Sequence, residues 1–315
     1  MARIEQAHVS ARAAVRVQHS LRVQRPGGDR CGRVCAWPCY GGSLSEASQW
    51  SVILGVSAGT GAAVARAVAR SPGLHVFGAH RGRHPEEAER VAADVAAAGQ
   101  RAVLWQADAG TADAASAGAD ALLAVAGPRS VKLFVHSIAN ASLGRLASGD
   151  RDQVLARQVH KTFDSMAHSF VFWTQELIAR DLLAPSARLV GLTNPLAESL
   201  LHNCGLVAAS KAALEAYIRQ LAFELGPAGH RVNLLKFPTV ITPAVQKVYA
   251  PEVLARLEDT HRRMIPAGRM CTLEEVAAFV AFLTRDEGSW FNGATIDYTG
   301  GMTQSLLDLV LNRPT

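Results

Sequence analysis

Trp50-Ser51-Val52-Ile53-Leu54-Gly55-Val56-Ser57-Ala58-Gly59-Thr60-Gly61 is the stretch that decides the fold. Residues 51–55 are a short apolar run closed by glycine, which reads as a strand buried on both faces. Two more glycines follow, and an Ala- and Val-rich stretch with helical spacing covers 62–70. Strand, glycine turn and helix in that order form the head of a β-α-β unit. Only glycine lets the backbone turn this tightly and come close to a pyrophosphate. The helix start behind the turn offers free N–H groups and a positive dipole end. Gly55, Ser57, Gly59 and Gly61 are therefore candidate dinucleotide-binding residues. A tight turn with no ligand would use the same glycines.

The pattern repeats outward from that turn. Short apolar runs at 74–78, 102–106, 131–136, 188–192, 232–235 and 295–298 read as strands. Helical spacing covers 86–98, 114–126, 151–184 and 208–225. Strands apolar on both faces, alternating with helices, predict an α/β fold. The architecture expected is a doubly wound parallel sheet, the Rossmann fold, in one domain over residues 50–315.

Residues 1–49 lack a sustained apolar period and are rich in Arg, Gly and Ser. They read as a disordered extension. An Arg-rich, acid-poor start also fits an organellar import signal. Of the formal charge of +5, residues 1–50 contribute +4, so the body is nearly neutral. A nucleic-acid partner is not expected, because phosphate binding needs Lys and Arg clustered on one face. No apolar run is long enough for a membrane span. The five cysteines suggest no disulfide framework, and Cys31, Cys35 and Cys39 have no His nearby as a fourth zinc ligand, with Trp37 and Pro38 breaking any regular helix there. A reducing, cytoplasmic setting and no metal are expected.

The end of the second strand bears on the choice of dinucleotide. An acid there would hold the ribose 2′-hydroxyl of NAD. Here the residues are Gly78-Ala79-His80-Arg81-Gly82-Arg83. Arg81 and Arg83 can pair with a 2′-phosphate, which favours NADP(H), with NAD(H) the alternative. Asp108, just after the third strand, is a candidate acceptor for the adenine amino group.

Together these residues resemble the short-chain dehydrogenase/reductase family over about residues 51–302. The resemblance rests on Gly55-x3-Gly59-x-Gly61, Asp108, Val135-His136-Ser137-Ile138-Ala139, and Lys211 within Ala-Ser-Lys-Ala-Ala. It also rests on Arg231-Val232-Asn233, Thr242-Pro243 and Gly300-Gly301. Val135-His136-Ser137-Ile138, Ser169-Phe170-Val171 and the ungapped spacing from Leu192 through Ala197-Glu198 and Asn203 to Lys211 resemble the enoyl-acyl-carrier-protein reductase branch. So does the ending soon after Gly301-Met302-Thr303. The glycine loop itself has the ordinary reductase form. The resemblance implies a homotetramer or homodimer acting on a small molecule or an acyl thioester, carried by a carrier protein or free, in fatty acid or polyketide metabolism. It also implies that Ser137, Ile138, Lys211 and Thr242 contact the cofactor, and that the block over 244–263 is a lid above the substrate.

The chemistry departs from the family pattern. The resemblance places a tyrosine four residues before Lys211 in an ordinary member and seven before it in the enoyl branch. These positions are Val207 and Cys204. Position 194, Ser or a second Tyr in the family, is Asn194, and the Pro-Gly after the sixth strand is Phe237-Pro238. The tyrosines at 40, 217, 249 and 298 meet neither spacing. Reduction of a ketone needs an acid for the alkoxide. Reduction of an enoyl thioester develops an enolate, which hydrogen-bond donors stabilise. Loss of the phenol therefore hurts alkene reduction less. Lys211, Cys204 and Asn194 are the candidate catalytic residues, with His202 and Tyr249 further options. Cys204 reads equally as a small buried hydrophobe. Met264, Ile265, Phe237 and Val240 are candidates for the acyl pocket or for core. The expected function is NAD(P)H-dependent reduction of an enoyl thioester or similar activated alkene. A carbonyl (3-oxoacyl-type) reductase and a nucleotide-binding member without redox turnover are the alternatives.

Overall fold

A computed structural model describes residues 48–149, 153–195, 198, 201–242, 245–246 and 250–304. The extension over 1–47, the three N-terminal cysteines, Pro243, Ala197 and Tyr249 lie outside the described residues, as does the side chain of Met264.

Each apolar run named above becomes a strand: β1 (Gln49–Leu54), β2 (Leu74–His80), β3 (Ala102–Gln106), β4 (Val131–His136), β5 (Leu183–Thr193), β6 (Arg231–Lys236) and β7 (Thr295–Asp297). They form one parallel sheet in the order β3-β2-β1-β4-β5-β6-β7. The helices that connect them are α1 (Gly59–Val68), α2 (Pro85–Ala97), α3 (Ala112–Ala126), α4 (Ala156–Phe163), α5 (Ser169–Ala179) and α6 (Gly205–Leu225). Two more follow β6, α7 (Pro251–Met264) and α8 (Leu273–Phe282).

Side chains alternate across the sheet and so build two cores. Val52 and Leu54 of β1 point to the face covered by α3, α5 and α6, with Phe170, Trp173 and Leu214 among the buried residues. Ile53 points to the opposite face, covered by α1, α2 and α8, with Val64, Val91 and Val280. The strands are therefore apolar throughout because both faces are covered, as expected for a doubly wound sheet.

Two elements differ from the sequence reading. The helix expected over 151–184 is in fact α4, a π-helical turn (Asp164–His168) and α5, and β5 begins as early as Leu183. Pro185 and Ser186 mark the reason: Ser186 takes φ +55°, and Leu183 already pairs with Val131 before the ladder shifts register. Helix α8 was not anticipated. Its start is fixed by a capping box in which the Thr272 hydroxyl accepts from the Glu275 amide at 3.2 Å and Glu275 accepts from the Thr272 amide at 2.9 Å. The block read as a lid contains α7, with a side-chain ion pair between Arg263 and Asp259 on its surface.

The chain leaves β1 toward β2 and β3, then returns to place β4 on the other side of β1. This reversal opens a crevice at the carboxyl ends of β1 and β4, where open α/β sheets bind their ligands.

Candidate active site

The floor of the crevice is stitched by backbone. The Ser137 amide donates to the Leu54 carbonyl at 3.0 Å, and the Gly55 amide donates to Ala79 at 2.9 Å. Gly55 has φ +86°, and a β-carbon on it would stand 2.5 Å from the Ser137 carbonyl oxygen. A β-carbon on Gly61 would collide with the Gly55 carbonyl. The first helical turn of α1 therefore sits directly on the strand. Ala58 caps that helix without any side-chain bond, which leaves its first N–H groups to be satisfied by something else. An anion seated there would meet both the amides and the dipole.

The crevice, about 320 Å³, brings together Gly55, Ser57, Gly59, Arg81, Asp108 and Thr242, with Ser137 and Ile138 on its β4 side. Every residue read from the sequence as a cofactor ligand lies here, apart from Gly61, packed behind the loop, and Lys211, which lines the adjoining pocket. Arg81 is half-buried, and its pKa is lowered by burial and then by the neighbouring Arg83 charge, with Asp108 acting in the opposite sense. Two guanidinium groups held together beside a single carboxylate mark a place that favours an anion. Asp108 also accepts from the Gly110 amide at 3.2 Å, which fixes the turn after β3. Thr242 touches the glycine loop, and its hydroxyl accepts from the Val245 amide at 3.1 Å. His84 and Thr60 also line the crevice and were not anticipated; both sit beside predicted ligands, at helix starts.

A second pocket of about 310 Å³ adjoins the first and shares Thr60, Ser137, Ile138 and Ala139 with it. Its walls add Leu143, Met166, Asn194, Val207, Lys211 and Phe237. Lys211 is buried on α6, and its Nζ donates to the Leu192 carbonyl at 2.7 Å. Burial lowers its pKa to about 8. Behind the wall lies His136, fully buried, with Nε2 on the Ser169 hydroxyl at 2.8 Å and no partner at Nδ1. The Ser169 hydroxyl also lies 3.0 Å from the Ser165 carbonyl, to which it can donate. Burial, reinforced by the Lys211 charge, lowers His136 to about 3.

Cys204 is not brought to this wall. It is the N-cap of α6 with φ −104° and ψ 10°, and it is not among the residues that line the pocket. Gly205 next to it packs under Leu146. His202 is exposed. Val240 and Ile265 are buried, with Val240 in the core beside α8, whereas Phe237 does line the pocket. Tyr217 bonds through its hydroxyl to His168 Nδ1 at 3.1 Å, and Tyr298 stacks on Phe279. Among the described residues, no tyrosine lines either pocket. None of them forms a His, Cys, Asp or Glu cluster able to hold a metal ion. No helix among them is long and apolar enough to cross a membrane.

The sequence profile of the family described as enoyl-(acyl carrier protein) reductase matches residues 55–303. The chain belongs to this enoyl-reductase-like group of the short-chain dehydrogenase/reductase family. Membership makes it a short-chain oxidoreductase. Among relatives, the dehydrogenase OXI1 of Cochliobolus heterostrophus is 30% identical over 64% of this chain and 84% of its own length. The NADH-dependent enoyl-[acyl-carrier-protein] reductase FabI of Escherichia coli is 31% identical over 54% of this chain, and the match spans 63% of that reductase. The 1-cyclohexenylcarbonyl-CoA reductase of Streptomyces collinus is 26% identical over 82% of this chain and 88% of its own. Among solved structures, a Burkholderia cenocepacia short-chain dehydrogenase in complex with NADP superposes with a TM-score of 0.70. It is 26% identical, over 81% of this chain and 98% of that one.

Proposed function

We propose that the protein reduces the carbon–carbon double bond of an enoyl thioester and takes its hydride from NADPH. The observation that carries this reading is the second pocket. It abuts the dinucleotide crevice, its wall is mostly apolar, and no phenol among the described residues reaches it. A ketone in such a pocket would lack its usual acid, whereas an enolate needs only donors. An exposed leucine on its wall supports an acyl substrate: Leu143 is 62% exposed. Large apolar side chains left in water beside a pocket favour an apolar ligand.

The chain's own residues divide the work. The glycine loop and the first amides of α1 would hold the pyrophosphate, Asp108 would accept from the adenine amino group, and Thr242 would contact the nicotinamide carboxamide. Arg81 and Arg83 pair with the 2′-phosphate, which separates NADPH from NADH. Asn194, just past the end of β5, and Lys211 on α6 would flank the reacting carbon atoms. The bound reduced nicotinamide supplies a hydride equivalent to carbon.

Fluorescence titration with NADPH and NADH, followed by a panel of crotonyl and acetoacetyl thioesters, tests the reading. Tight NADPH binding and consumption of NADPH with crotonyl thioester alone is the expected result. Turnover of acetoacetyl thioester alone would make the protein a carbonyl reductase. Binding without turnover of either would leave a nucleotide-binding protein.

A further inference from the structure

The second pocket is poor in groups that exchange protons. Its polar side chains are the hydroxyls of Thr60, Ser137 and Thr193, the Asn194 amide and the Lys211 ammonium. Hydroxyls and amides do not release protons near neutrality. Among the described residues that line it, Lys211 is the one titratable side chain. Its ammonium has three protons, and the Leu192 carbonyl takes one. No carboxylate among the described residues forms an ion pair with it. Resting on the reading above, we propose that Lys211 is itself the proton donor of the reduction.

The step balances as follows. Hydride derived from NADPH adds to the β-carbon of the enoyl thioester. The π electron pair moves onto the α-carbon and carbonyl oxygen as an enolate. An N–H bond of the Lys211 ammonium breaks, and its proton passes to that enolate. The saturated thioester leaves with oxidised dinucleotide, and the neutral amine takes a proton from water.

The surroundings suit this role. Val207 stands one turn before Lys211 on α6 and lines the pocket with it, so the side chain one turn back offers the ammonium no polar partner. Burial brings Lys211 to about 8, which makes it a stronger acid than an exposed lysine and leaves it protonated at pH 7. From β4, the neutral His136 faces it and keeps its own charge off. On β6, Lys236 is engaged by Glu198 and Asp297. In the π-helical turn, His168 is engaged by Tyr217, and Asp164 is half-buried. On α4, His160 and Lys161 are exposed. Glu215, one turn further along α6, pairs with Arg219.

Two readouts test the proposal, and the first needs no substrate. The wild-type protein is labelled with acetic anhydride across the pH range, and each lysine is followed by peptide mass spectrometry. The expected midpoint for Lys211 is near 8, against the ordinary 10.5. The second is the pH profile of kcat/KM with crotonyl thioester, expected to fall tenfold per pH unit above the same midpoint. Lys211→Arg keeps the charge but not the acid. It is expected to bind NADPH within about threefold of wild type and to lose at least a hundredfold in turnover. Lys211→Ala is expected to regain activity with added methylamine. A labelling midpoint near 10.5, or a Lys211→Arg enzyme that keeps wild-type turnover and the alkaline limb, would overturn the role while the reductase reading stood. Absence of turnover with every enoyl thioester would remove the reductase reading, and this role with it.

Discussion

A β-carbon on Gly55 would stand 2.5 Å from the carbonyl oxygen of Ser137, so the end of β1 and the end of β4 meet with no room for a side chain. Gly55 also has φ +86°, which strains any L-residue. Gly55→Ala is expected to cost about 1–3 kcal/mol of stability through overpacking and backbone strain. It should also lower NADPH affinity at least tenfold. Urea denaturation and a fluorescence titration of the folded fraction measure the two effects; wild-type values for both would show that the loop is not pressed against β4.

The guanidinium pair at the end of β2 predicts a split between two cofactors. Arg81→Ala removes one charge-assisted contact, worth about 1.5–3 kcal/mol. NADPH affinity should therefore fall by roughly 10- to 100-fold, and NADH affinity should change by less than about threefold. Equal losses for both would place Arg81 away from the 2′-phosphate.

Thr193 closes β5 and lines the second pocket with its hydroxyl buried and without a partner. A buried donor with no acceptor costs about 1–3 kcal/mol. Valine has the same shape without that atom. Thr193→Val is expected to leave stability unchanged or raise it by about 1 kcal/mol, read from the denaturation midpoint at constant m-value. A loss of 2 kcal/mol or more would mean that the hydroxyl has a partner after all.

His136 gives a pH dependence with a definite sign. Its folded value, about 3, lies below the ordinary 6.5. The unfolded chain therefore binds a proton between those values that the folded protein does not. The contribution of neutral His136 is intact above pH 6.5 and is lost progressively as pH falls toward 3. At pH 5 the loss from this one group is about 2 kcal/mol. His136→Gln keeps a donor toward Ser169 and removes the titration. Plotted against pH from 7 to 5, its stability should fall less steeply than that of wild type. Parallel curves would show that His136 already carries its proton in the folded state.

The sequence carried the sheet well and the loops poorly, for physical reasons. Strands such as Val52-Ile53-Leu54 are buried on both faces, and that burial is written as uninterrupted apolar residues. The glycine loop is legible because close backbone approach excludes every other residue type. Leu183 and Ala184 open β5 although their composition is equally helical, and only the pairing with β4 decides between the two. Helix α8 carries its signal locally, in the Thr272–Glu275 capping box, and not in a long apolar period. Cys204 follows from the family spacing to Lys211, and it stands at the N-cap, one residue before α6 begins.

The most direct test follows the hydride. The protein would be incubated with crotonyl thioester and NADPH deuterated at the transferable position, and the product examined by NMR. The account predicts saturated butyryl thioester carrying deuterium on the β-carbon and solvent hydrogen on the α-carbon. Unreacted crotonyl thioester in the presence of bound NADPH would contradict it.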